Sequence, residues 1–288
     1  MSSQLPETRA LPPTALPTTQ LAFEAYWHIW RHLRIYAGQV LVLSAVTCFV
    51  QLLMNIVAST VIPQASASVQ VASQQLVFVV TVVTVLLLGG TAIFIDCQRA
   101  IVLGHTPAVG HALRLRPGET RVLRAVCVYW LVVHLVPTAV VQTSYVADVL
   151  QLAWFPRLTM PANFAFYWAW VLATVPLIVM SLPIVLFENT PEPIAQGRHR
   201  LEGNAVRMFA AGALAFVPLG AAEIAIYVVR DAMGSFGDPL LSLLVDFLLM
   251  NVLQNATSFA TIVVMSALVA VAYLRLSPRI ESVYRVFD

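Results

Sequence analysis

The sequence predicts an all-α integral membrane bundle of six transmembrane helices with amphipathic elbow helices on the cytoplasmic face. Three observations carry that reading. Of the 288 residues, 59% are apolar and 10% charged, with a mean hydropathy of +0.82, whereas a soluble domain carries about 25% charged residues. Six apolar stretches are long enough to cross a hydrocarbon core about 30 Å thick, which takes roughly 20 helical residues. The arginines fall almost entirely on one side of those stretches.

The first twenty residues (MSSQLPETRALPPTALPTTQ) are rich in Pro, Thr and Ser and lack the basic-then-apolar order of a secretory signal peptide. They read as a disordered tail. Residues 21–275 read as a single six-helix membrane domain, and 276–288 as a cytoplasmic tail. The spans are expected at about 36–62, 76–97, 122–144, 165–187, 206–229 and 248–274. The second is crowded with Val, Ile and Thr, which in water would favour a strand. In lipid an open strand leaves backbone polar groups unpaired, so helix wins.

Fourteen of the sixteen arginines lie in the N-terminal segment, the second-to-third and fourth-to-fifth connections, and the C-terminal tail; only Arg157 and Arg230 fall on the other side. The positive-inside rule then places both termini in the cytoplasm. Trp154, Trp168 and Trp170 mark the opposite interface, where an amphipathic ring is at home. Lysine is absent, which the codon usage of a GC-rich genome explains as well as any functional need. The net charge of +2 gives no footing for nucleic acid. Cys48, Cys97 and Cys127 are scattered, without zinc or redox spacing.

Three cytoplasmic stretches share a pattern: AFEAYWHIWRHLR, PAVGHALRLRPGETRVLR and EPIAQGRHRLEGNAVRMF. In each, small and apolar residues lead, Arg or His recurs at near-helical spacing, and a span follows. Such a segment is expected to lie in the interface as an elbow, with arginines toward headgroups and apolar residues toward acyl chains. The unit of elbow, span, short loop and span repeats three times in the same direction.

The run SLPIVLFENTPEPIAQGRHRLEGNAVRMF resembles a broad set of bacterial six-span inner-membrane proteins. That set includes the membrane domain associated with some glycerophosphodiester phosphodiesterases. Pro183 ahead of Glu188 at the cytoplasmic end of a span carries the likeness, with Ala195, Arg198, Leu201 and Arg207 in the elbow after it; Asp96 and Arg99 stand in the matching place after the second span. The catalytic barrel of the fused relatives is absent from this sequence, so no catalytic residue carries over; the resemblance implies a bacterial inner-membrane location and a membrane-embedded or accessory role, and does not imply phosphodiesterase activity.

Ionisable and amide groups inside a membrane are costly and therefore candidates for function. Glu223 falls in the outer third of the fifth span and His134 near the middle of the third. Gln51, Asn55, Gln142, Asn251, Gln254 and Asn255 gather toward the same outer half. These residues either line an outward-facing polar cavity or hydrogen-bond between helices. On the cytoplasmic side Asp96, Arg99, Glu188, Glu192, Arg198 and Glu202 form either a partner-docking face or a solvated, charge-balanced surface. Nucleophile elbows, phosphate loops and metal-ligand spacings are missing. The sequence therefore points to no cofactor, no metal and no enzyme. The lipid bilayer is the expected partner, with another membrane protein or a lipid as a second. A non-enzymatic scaffold or regulator and a small transporter or lipid-handling protein are the two functional readings.

Overall fold

A computed structural model describes residues 16–61, 85, 87–113, 119–132, 180–188, 190–233 and 252–277. Among them the secondary structure is helical throughout: α1 Thr18–Arg31, α2 Leu33–Val61, α3 (residues 87–102), a 3₁₀ turn Val109–Leu113, α4 Thr120–Trp130, α5 (residues 180–187), α6 Pro193–Leu201, α7 Ala205–Met233 and α8 Gln254–Leu276. Each of the six predicted stretches contributes helical residues. Among the described residues, three helices are long and apolar enough to cross a membrane, over Leu33–Leu53, Ala205–Ile226 and Gln254–Leu276. At 1.5 Å per residue each reaches about 30–35 Å.

In α1, Leu21, Ala22 and Ala25 share one face and are buried. The helix starts after Pro17, whose extended backbone precedes the first turn, and Leu16 is buried ahead of it. Helix α1 therefore includes Thr18–Gln20 of the stretch read from sequence as a tail. His32 breaks the helical run (φ −114°, ψ 22°), and α2 starts at the next residue. Gly104 (φ +66°) ends α3, and Gly203 (φ +74°) forms the corner between α6 and α7. Both sit in the left-handed region that a side chain disfavours.

Helix directions follow from the contacts. Gly89 meets Leu43, and Gln39 bonds Asp96, so α2 and α3 are antiparallel. Gly90 meets Ile262 and Gln98 bonds the Ser266 carbonyl, so α3 and α8 run the same way. Gly212 faces Leu268 and Ala215 packs with Val264, so α7 and α8 are antiparallel. The glycines in these contacts let backbones approach closely, as in other membrane bundles. The starts of α2 and α7 and the ends of α3 and α8 therefore share one end of the bundle. Leu43, Ile93, Met180, Ile184, Phe259 and Leu268 are fully buried in its core.

The first and third elbows are α-helices, α1 and α6. In the second, Val109–Leu113 form a 3₁₀ turn and the residues from Thr120 onward open α4, while 114–118 lie outside the described residues. Pro107, Gly110 and the left-handed Gly104 interrupt that stretch, and His111 is drawn inward to Asp96. Arginine spacing predicts a third equivalent helix; over Val109–Leu113 the chain forms a 3₁₀ turn instead, Arg121 and Arg124 fall in α4, and Arg114 and Arg116 lie outside the described residues.

Candidate functional site: the charged end of the bundle

Asp96 comes from the last turns of α3 and is buried, with 7% of its surface exposed. One carboxylate oxygen accepts from the Gln39 amide of α2 at 2.6 Å and from the Ala108 N–H at 3.3 Å. The other accepts from His111 Nδ1 at 2.6 Å. The Gln39 amide also donates to the Ala108 carbonyl at 2.8 Å. A buried carboxylate persists only when its lone pairs are met, and here α2 and the 3₁₀ turn with the residue before it meet them.

Glu188 closes a second cluster just after α5. Arg200 of α6 grips it with both guanidinium nitrogens, each at 2.6 Å, and donates at 2.7 Å to the Ser277 hydroxyl beyond α8. The Tyr273 hydroxyl donates to the same carboxylate, and its ring lies 5.4 Å from the Arg200 guanidinium. Burial pulls the Arg200 guanidinium down, but the hydrogen bond and charge of Glu188 outweigh it and hold the group above its ordinary value. Arg99 of α3 pairs with Glu119 at the head of α4, and Arg275 of α8 with Glu24 of α1. Each ion pair ties two elements together at this end.

The six residues expected to form a docking face divide into two groups. Asp96, Arg99 and Glu188 are held inside by their partners. Glu192, Arg198 and Glu202 are exposed on α6 and its flanks. With Pro191, Ile194 and Leu201 they line an open groove of about 870 Å³. Sequence reasoning singled out neither Gln39 nor Tyr273. One signal for Gln39 was present: Gln39, Leu43, Thr47 and Gln51 recur every four residues, which puts them on one helix face.

Of the outer polar residues, Gln51 is buried in α2, and its carbonyl oxygen has no partner among the described residues. Three residues earlier on that face, Cys48 receives the Asn255 amide of α8 at 3.6 Å. Gln254 lies beside Asn255, its carbonyl accepting from the Thr257 and Ser258 hydroxyls. Asn55 continues α2 one turn past Gln51. Glu223 lies on an exposed face of α7. His134, Gln142 and Asn251 are outside the described residues. The structure thus brings Asn255 against Cys48 at the α2–α8 interface, buries Gln51 in α2 and leaves Glu223 exposed.

At the α1–α2 corner, His28 shares a hydrogen bond of 3.1 Å with the Tyr36 hydroxyl, and the His32 ring lies 4.9 Å from His28. Burial, then the neighbouring His32 and Arg31, lower the His28 pKa to about 4, so its ring is neutral at pH 7. The chain matches no protein-family model, no curated protein and no solved structure.

Proposed function

We propose that this chain is a non-enzymatic accessory protein of the bacterial inner membrane, a six-span scaffold or regulator with both termini in the cytoplasm, which works by holding another membrane protein or a lipid. One observation carries the reading. In α7 only 17% of the membrane-length window is buried within the chain, against 61% in α8. Val206, Val217, Ile224 and Val228 project outward at more than half exposure. A surface of that size and apolarity is covered by lipid or by a second membrane protein. The groups best suited to chemistry are meanwhile engaged in structure: Asp96, Glu119, Glu188 and Glu24 each hold a cation or a ring nitrogen of another element or turn. The resemblance to six-span inner-membrane proteins supports the location.

The test is site-specific photocrosslinking of the full chain in native membranes, with the probe at Val217 or Ile224 on α7 and at Leu41 on α2 as a comparison. A discrete protein adduct from α7, absent at Leu41, is expected. Lipid adducts alone, from both helices alike, would remove the reading that α7 holds a protein partner. The transporter reading assigns the work to Glu223, so Glu223→Gln separates the two. On the scaffold reading, that variant keeps the α7 adduct and its yield.

A further inference from the structure

We propose that the outward face of α1 is a binding site for the phosphate headgroup of an anionic phospholipid in the adjoining leaflet. This rests on the membrane reading above and names one partner within it. The inward face of α1 is filled by Leu21, Ala22 and Ala25. The outward face carries Phe23, Trp27 and Trp30, at four- and three-residue spacing, exposed by 68%, 49% and 69%. Phe23 and Trp27 lie nearly parallel, with ring centroids 6.5 Å apart. Only His32 separates the end of the helix from Leu33, where a membrane-length stretch begins. Large rings left bare on one helix face are unfavourable in water, and the bilayer interface is where indoles collect.

The charges fit the same partner. Among the described residues, Arg99, Arg200 and Arg275 are each held by a carboxylate. Arg31 and Arg34 make no such pair, and both are exposed at the turn from α1 into α2. The acid of α1, Glu24, is engaged by Arg275 and Gln20. The Arg31 guanidinium lies over the Trp27 ring, 5.1 Å from its centroid. That stacking keeps a planar fork of donors at the aromatic surface, the geometry that recognises phosphate oxygens in pairs. Apolar rings beside two uncompensated arginines, at the point where the chain enters a membrane-length helix, complement an anionic lipid by both area and charge.

The experiment reconstitutes the full chain into vesicles of equimolar phosphatidylglycerol and phosphatidylcholine, re-extracts it in mild detergent and quantifies the retained phospholipids. The wild type is expected to retain phosphatidylglycerol preferentially, and excess inorganic phosphate is expected not to displace it. The double variant Arg31→Gln/Arg34→Gln should weaken the preference by about ten- to thirty-fold, two arginines' worth of attraction to an anionic surface. Trp27→Leu keeps both charges and should reduce the preference by a smaller factor. Arg275→Gln removes one charge and leaves Glu24 uncompensated, but it spares Arg31 and Arg34 and should reduce the preference by less than the double variant. Undiminished retention in the double variant, an equal loss with Arg275→Gln, or displacement by inorganic phosphate would each overturn the proposal. None of these outcomes bears on the α7 protein adduct, so this site and the scaffold reading fail separately.

Discussion

Asp96 accepts from Gln39, Ala108 and His111, and the three donors are not equivalent. Removing His111 leaves the carboxylate two donors, whereas removing Asp96 takes one of two acceptors from the Gln39 amide and the acceptor from a backbone N–H and a histidine at once. Asp96→Ala should therefore cost about 2–4 kcal/mol and His111→Ala about 1–2 kcal/mol, read as thermal unfolding in detergent. Equal losses would mean that the turn, not the carboxylate, organises the site. His28 gives a pH dependence of definite sign. Its folded pKa is depressed to about 4 from an ordinary 6.5, so between those values the unfolded chain binds the proton and the folded chain does not. Its contribution is complete above about pH 6.5 and is lost as the pH falls toward 4. A melting temperature that declines from pH 7 to pH 5 is expected, with a shallower decline in His28→Phe. Identical slopes in the two proteins would exclude His28 as the source.

At the scale of helices, three glycines give a graded test of packing. A methyl group on Gly89 would lie 2.6 Å from the end of Leu43, itself fully buried, and on Gly90 2.8 Å from Ile262, which is only partly buried. On Gly212 it would meet Leu268 at 3.8 Å, an ordinary contact. Gly89→Ala should therefore destabilise most, by about 1–3 kcal/mol. Gly90→Ala should cost less because Ile262 has room to turn. Gly212→Ala should be neutral or stabilising by up to about 1 kcal/mol through helix propensity. Any other order of melting temperatures would contradict the α2–α3 packing. These small residues were legible in the sequence as packing positions, because glycine inside an apolar span has few other uses. The first and third elbows were legible from apolar spacing followed by basic residues. In the second, the 3₁₀ turn at Val109–Leu113 was not legible, since it is set by Pro107 ahead of it and by the contact of His111 with Asp96.

For the whole molecule, the gathering of charge at one end was legible and the pairing within it was not. Arginines counted along the chain show which side is basic. They do not show that Glu188 meets Tyr273 85 residues away, or that Asp96 meets Gln39 57 residues away. Such pairs are chosen by helix packing, so Asp96, Arg99 and Glu188 read as surface until the helices are assembled. The helix directions make the topology testable as a unit. α2 and α3 are antiparallel, α7 and α8 are antiparallel, and α3 runs with α8. The chain just after α3 and the chain just before α7 must then lie in one compartment, and the far end of α7 in the other. Reporter fusions after residues 112, 200 and 284 are expected on the cytoplasmic side, where arginine excess favours retention. Fusions after 68, 158 and 236 are expected outside. The discriminating pair is 200 and 236, which flank α7. If they report the same side, α7 does not cross the bilayer, its bare apolar face is not lipid-facing, and the scaffold reading loses its main support. If 112 and 200 report opposite sides, the ion pairs do not share an end of the bundle. Either result would be decisive, because the helix directions fix the relation of these positions without any appeal to arginine counting.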